Sequence, residues 1–98
     1  GYESLGTVDE IMSIEPLAGR LQSFGWEVRE INGHNMDEIL GALESVPFNS
    51  SKPSAIVSRT NKGNGVSFME NVSMWHYRAP SEEEAAQARR ELEARINR

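Results

Sequence analysis

Ninety-eight residues with a formal net charge of −5, 38% hydrophobic content and no cysteine allow one small domain with a thin core, and exclude a disulfide framework or a thiolate metal site. The acidic balance argues against nonspecific nucleic-acid binding, which draws its affinity from cationic contacts to phosphate. No apolar run nears the ~20 residues of a membrane span and no basic-then-apolar leader opens the chain, so a soluble, cytoplasmic protein without a membrane contact is expected.

Residues 1–12 show no period and contain Gly1, Gly6 and Thr7, so a loop is expected there. A start at Gly1 without Met fits processing or a partial chain. Ser13 is a candidate helix N-cap, with Pro16 in the first turn, where a missing N–H is harmless. Ile14, Leu17, Leu21 and Phe24 then recur at helical spacing, and Gly25 stands where a left-handed helix-ending residue belongs. Residues 26–31 are a short strand candidate, with period-2 spacing at Trp26 and Val28, and Asn32-Gly33-His34 is a turn. Asn35 caps the next helix, with Glu38 placed as in a capping box, and Met36, Ile39, Leu40 and Leu43 form its apolar stripe. A polar loop from Pro47 to Pro53 leads into a compact, buried-type strand over residues 54–58. Residues 59–80 have no period of their own, and runs longer than about 12–15 residues without structure are usually functional or disordered. Pro80 and Ser81 open the last helix, with Ser81 and Glu84 as a second capping box. Glu82, Glu83 and Glu84 lie at its positive start, while Arg89, Arg90, Arg95 and Arg98 fall toward its negative end.

Strands separated by helices predict parallel pairing through right-handed crossovers. The fold class is therefore α/β: a partial, doubly wound parallel sheet, β-α-β with flanking helices. Parallel sheets are normally covered on both faces, so two strands alone point to further strands supplied from elsewhere.

The richest stretch is Lys62-Gly63-Asn64-Gly65-Val66-Ser67-Phe68-Met69-Glu70-Asn71, followed by Trp75-His76. Glycines on either side of one residue let backbone approach a ligand closely, and a nearby histidine can hold a phosphate or move a proton. Taken alone, however, Lys62 to Gly65 reads as a plain turn and His76 as a surface or packing histidine. His34 reads as a turn residue before a helix cap, Trp26 and Trp75 as packing residues, and Glu82 to Glu84 as helix-start charges rather than an acid pair. The arginines of the last helix read as a solvated face. The two histidines are too far apart, and too few, for a zinc motif.

These segments together resemble the thiamine-diphosphate-binding domain of transketolases, in particular the separate N-terminal subunits of split transketolases. Asp9-Glu10-Ile11-Met12-Ser13-Ile14-Glu15-Pro16-Leu17-Ala18 looks like that family's D-D/E-V-M-x-L-E-P-L-A segment. Phe24-Gly25-Trp26-Glu27-Val28 resembles F-G-W-x-V, Asn32-Gly33-His34-Asn35 resembles D-G-H-D, and Lys52-Pro53-Ser54-Ala55-Ile56-Val57 resembles K-P-T-x-I-I. The run from Lys62 to Asn71 matches KGxGVSFMEN, and Trp75-His76 matches the start of WHG. The match covers nearly all of the chain and makes residues 1–98 the C-terminal part, the second half, of such a domain.

The resemblance implies a piece of a transferase that moves a two-carbon ketol unit between sugars or sugar phosphates with thiamine diphosphate and Mg²⁺. It implies a catalytic His76, near the cofactor diphosphate and the reacting sugar, and a cofactor-binding loop through Lys62, Gly63 and Gly65. The family's metal motif, GDG with a later Asn, is absent here. Aligned on residues 9–18, that Asn falls just before Gly1, and the Tyr2 backbone carbonyl takes the place of a metal ligand. One carbonyl cannot hold Mg²⁺, so cofactor binding by this chain alone is not expected. The implied partners are the complementary N-terminal part of the same domain, a pyrimidine-binding domain or subunit, and a sugar phosphate, in an oligomer. Two departures stand out: Tyr77 where the family has Gly, and Asn32 and Asn35 where it has Asp. With the missing GDG motif, Tyr77 keeps a rival reading open, a non-catalytic interaction or regulatory module with the same fold.

Overall fold

The computed structural model describes Tyr2 and residues 6–97. The readings placed on Gly1 and Arg98 lie outside the described residues. In chain order the elements are α1 (Val8–Ile11), α2 (Leu17–Ser23), β1 (Glu27–Asn32), α3 (Met36–Glu44), β2 (Ser54–Arg59), a 3-10 helix (Ser73–His76) and α4 (Glu82–Ile96). They fall into two compact units, Met12–Thr60 and residues 1–11 with 61–98.

In the unit Met12–Thr60, β1 and β2 pair in parallel, from Glu27 opposite Ser54 to Asn32 opposite Arg59. This is the expected α/β arrangement, with α3 in the connection. Among the described residues the sheet has these two strands only.

Helix α2 starts later than its apolar spacing suggests. The residue before a proline is pushed out of the α region, so the helix cannot run through Glu15 into Pro16. Pro16 is the N-cap and has no side-chain acceptor to offer. The Glu15 carboxylate takes over, accepting the Leu17 N–H at 3.1 Å, while Ser13 stays outside the helix. At the other end the Gly25 N–H reaches Gln22 O at 2.9 Å and the Trp26 N–H reaches Leu21 O at 3.2 Å. That pair of bonds is a Schellman motif, which requires the positive φ of +91° at Gly25. Of the expected stripe, Leu17 and Leu21 are half-buried but Ile14 and Phe24 are exposed.

Helix α3 is capped as expected, with Asn35 Oδ1 accepting from the N–H groups of Asp37 (3.0 Å) and Glu38 (3.2 Å). The capping box is not closed. Glu38 reaches the Asn32 N–H instead (3.3 Å), because the Asn35 N–H is already bound to Asn32 O at 3.1 Å. The stripe is displaced too: Ala42 is buried, Ile39 is half-buried, and Met36, Leu40 and Leu43 are 64%, 51% and 57% exposed. Two strands cover only a narrow strip of a helix whose apolar face is wider than 100°. Arg59, at the end of β2, bridges Glu30 (2.7 Å) and Glu15 (3.1 Å) and ties the entry of α2 to the strand ends. These bonds raise the Arg59 pKa, Glu30 contributing most. Glu15 is held below the usual carboxylate range by the Leu17 N–H first and Arg59 second.

In the other unit, part of the expected N-terminal loop is α1. Thr7-Val8-Asp9-Glu10 is a capping box: the Thr7 N–H donates to the Glu10 carboxylate at 2.8 Å, and the Glu10 N–H donates to Thr7 Oγ1 at 3.2 Å. The Thr-x-x-Glu signal is visible in the sequence, but α1 is too short to show a period. The connection before α4 is likewise not featureless, since it contains consecutive turns and the 3-10 helix. Helix α4 has the expected Ser81–Glu84 capping box in full. Among the described residues the apolar core is thin: Ala42 and Val57 are its buried members in one unit and Val66 in the other. Among the described residues no helix is long and apolar enough to cross a membrane.

Candidate functional site: the glycine loop and the Trp-His turn

Shortly after β2 the chain enters a loop that closes on itself. The Asn71 N–H donates to Lys62 O at 2.9 Å, Val66 N–H to Gly63 O at 3.2 Å, and Met69 N–H to Val66 O at 2.9 Å. Such tight successive turns need left-handed positions, found at Gly63 (φ +74°), Gly65 (φ +99°) and Asn71 (φ +56°). Val66, buried, anchors the loop inside its unit.

Both glycines have a second constraint. A Cβ at Gly63 would run into the Met69 carbonyl and lie 2.6 Å from the Met69 carbonyl carbon. A Cβ at Gly65 would lie 2.5 Å from Arg95 Nη1 and 3.1 Å from Leu92 Cδ2 on α4. The space a side chain would need is therefore taken by the protein itself. Glu91 of α4 accepts both the N–H and the hydroxyl of Ser67, each at 2.7 Å, and Glu70 accepts the Gly65 N–H at 3.1 Å. The Ser67 hydroxyl and then its N–H hold the Glu91 pKa below the usual carboxylate value. Gly65, Ser67, Glu70, Glu91, Ala94 and Arg95 line an open cavity of about 320 Å³.

The Trp-His pair lies on the 3-10 helix and is joined to this loop. Trp75 Nε1 donates to Phe68 O at 3.0 Å, and the two rings meet at 5.5 Å between centroids, tilted by 60°. The Arg78 guanidinium stacks on the Trp75 ring, 4.5 Å from its centroid, and pairs with Glu84 Oε1 at 2.6 Å. The same oxygen accepts the Ser81 N–H at 2.9 Å. That backbone bond, more than Arg78, lowers the Glu84 pKa. Glu84 is thus a cap and a clamp, in line with reading Glu82 to Glu84 as helix-start charges, and Trp75 is a packing residue as expected.

Of the candidate residues, Lys62, Gly63 and Gly65 share one loop, and His76 is linked to it through its neighbour Trp75. Lys62 is half-buried, while His76 and Tyr77 are exposed, Tyr77 at 72%. Among the described residues no ion pair engages the Lys62 ammonium and no hydrogen bond engages the His76 imidazole. Tyr2 is in an isolated antiparallel bridge with Thr7. No cluster of three or more His, Cys, Asp or Glu able to hold a metal occurs among the described residues. Sequence reading did not single out Arg78 or Glu91. The one available hint was the spacing of Arg78 three residues past Trp75 and six before the capping Glu84.

Residues 4–96 match the family model described as "Transketolase, thiamine diphosphate binding domain", and the chain belongs to that family. It is 40% identical over 93 residues to an apulose-4-phosphate transketolase subunit of Phocaeicola vulgatus, covering 95% of this chain and 33% of that protein. It is 42% identical over 88 residues to the 6-deoxy-6-sulfo-D-fructose transketolase subunit SqwG of a Clostridium species, covering 90% of this chain and 32% of that protein. A further apulose-4-phosphate transketolase subunit, from Actinobacillus succinogenes, is 34% identical over 87 residues, covering 89% of this chain and 31% of that protein. The chain thus spans about a third of the length of these curated relatives.

Proposed function

We propose that residues 1–98 are the C-terminal part of the thiamine-diphosphate-binding domain of a cytoplasmic transketolase-type transferase. It moves a two-carbon ketol unit from a ketose donor to an aldose acceptor. The observation that carries this reading is that the 62–71 loop and Trp75-His76 are built as one piece in a chain of this family. The names of the relatives speak of sugars bearing a phosphate or a sulfo group, which supports an anionic sugar as substrate.

The residues present fit part of the cofactor. The Lys62 ammonium, with no acidic partner among the described residues, suits a diphosphate, and Gly63 and Gly65 belong to the same closed loop. When bound, thiamine diphosphate supplies the carbanion chemistry of ketol transfer. Lys62 offsets diphosphate charge, the glycines keep the loop closed around its turns, and His76 hydrogen-bonds the sugar oxygens and moves a proton there. Were Mg²⁺ bound, the Tyr2 carbonyl would offer it one oxygen and the remaining ligands would come from residues outside this chain.

The complementary part of the domain completes the sheet, and a pyrimidine-binding domain or subunit completes the active site of an oligomer. The open edges of the two-stranded sheet and the exposed Met36, Leu40 and Leu43 on α3 support this. The test is ketol transfer by the chain combined with its complementary portions, thiamine diphosphate and Mg²⁺. His76→Ala lowers kcat by about 10²–10⁴-fold. Tyr77, exposed beside His76 where the resemblance has Gly, favours the rival reading of a non-catalytic module. Absence of ketol transfer from the complete assembly with any anionic ketose establishes that rival.

A further inference from the structure

We infer that Arg78 is the positioning residue for His76, acting as a clamp that pins Trp75 against the glycine loop and is itself held by Glu84 of α4. The inference rests on the reading of His76 as the proton-moving group.

The 3-10 helix that carries His76 is weakly built. It has four residues, its N-cap Val72 provides no side-chain bond, and its Trp75 N–H to Val72 O contact is 3.4 Å long. Short 3-10 segments have poor hydrogen-bond geometry, so their orientation depends on what their side chains hold. Trp75 is held on one side by Phe68, through the indole N–H and the tilted rings, and is covered by Arg78 on its face.

Trp75 and Arg78 touch, so His76 and Tyr77 form a short arc between two points pinned to each other. Glu84 is rigid where it stands, because its carboxylate also closes the capping box of α4. The clamp therefore runs from the start of α4 through Arg78 and Trp75 to the glycine loop, and His76 sits within it. Arginine suits this role because a planar guanidinium can stack on an indole and still donate in plane to a carboxylate.

The test compares Arg78→Ala, Arg78→Lys and Glu84→Gln in the assembled holoenzyme, with His76→Ala alongside. Gln also serves at the third position of a capping box, so Glu84→Gln loosens the ion pair while keeping the helix start. Arg78→Ala lowers kcat about tenfold, with KM for the donor within about twofold. Arg78→Lys recovers the larger part, and Glu84→Gln moves the same way by less. Hydrogen exchange of the Trp75 indole N–H, followed by NMR in the same assembled holoenzyme, speeds up about two- to fivefold in Arg78→Ala, the loss of one exposed cation–π contact.

Unchanged kcat and unchanged indole exchange in Arg78→Ala, in an enzyme that His76→Ala disables, overturn the clamp. A raised KM at unchanged kcat overturns it as well, because Arg78 then binds substrate rather than positioning His76. Full activity in His76→Ala overturns the functional reading instead, and indole exchange still decides whether the clamp exists. Should Arg78→Ala fail to fold, Glu84→Gln decides the matter: faster indole exchange supports the clamp, and unchanged indole exchange overturns it.

Discussion

Gly63→Ala is the sharpest test of how the loop is held. A left-handed φ of +74° costs a non-glycine residue about 1–2 kcal/mol. The added methyl also meets backbone: the Met69 carbonyl carbon lies 2.6 Å from it and Met69 Cβ 2.9 Å. Backbone cannot swing aside as a side-chain tip can, so the loop must open, at a further cost of about 1–3 kcal/mol for overpacking. The sum is about 2–5 kcal/mol, a large share of the roughly 5–15 kcal/mol that holds a small domain together. Gly65→Ala is the matched control. Its φ of +99° is also positive, but its methyl meets side-chain ends, Arg95 Nη1 at 2.5 Å and Leu92 Cδ2 at 3.1 Å. Its cost stays near the conformational share, about 1–2 kcal/mol. Each unit holds one tryptophan, Trp26 or Trp75, so a Trp26→Phe background makes fluorescence report on the loop's own unit. Denaturant titrations of both alanine variants in that background give the comparison. Equal destabilisation by the two would refute the argument that Met69 backbone, and not φ alone, excludes a side chain at Gly63.

The pH response of the Trp75 unit follows from Glu10, Glu84 and Glu91, all held below their ordinary 4.5 in the folded chain. A depressed carboxylate contributes stability that is present above its unfolded pKa and lost as pH falls through the folded value. The Trp75-reported melting temperature therefore falls as pH drops below about 4.5, and Glu91→Gln flattens part of that fall; an identical profile in the variant would count against the Ser67–Glu91 tie. On α3, Leu40→Asp costs the chain about 1–2 kcal/mol of its own stability, since Leu40 is 51% exposed and Asp is a poor helix former. The same change prevents co-purification with the complementary portion of the domain, and retained association would show that this face is not the covered one.

The fold was legible wherever a local rule decides the backbone. Asn35 and Ser81 cap because a short side-chain oxygen meets free N–H groups at a helix start. Gly25 ends α2 because a Schellman turn needs a positive φ there. Parallel pairing of β1 and β2 follows from a helix lying between them. The failures came where local rules compete. Ser13 looked like a cap, but Pro16 bars the preceding residues from the helix and Glu15 supplies the acceptor. Ile14, Phe24, Met36, Leu40 and Leu43 have the spacing of buried stripes and remain exposed. Periodicity marks the face a helix is able to bury, and two strands are too few to cover it.

The site was legible to a different depth. A Gly-x-Gly pattern says that no Cβ fits, without saying what occupies the space; at Gly63 it is Met69, and at Gly65 it is Arg95. The clamp on Trp75 was not legible, because it exists only once the chain turns back between the 3-10 helix and α4. Lys62 and His76 carry no period and no cap, so only the resemblance singles them out. Their surroundings also limit what this chain offers an anion. The N–H groups of Gly65 and Ser67, the donors a glycine loop would turn toward phosphate, are held by Glu70 and Glu91. In the proposed assembly a diphosphate would draw on Lys62 and on groups from the complementary part rather than on the Gly65 and Ser67 N–H groups, unless it displaced a carboxylate at an electrostatic cost. Either way, the loop's closed form is set by its own acidic residues, and cofactor affinity in the proposed assembly depends on the residues that join it.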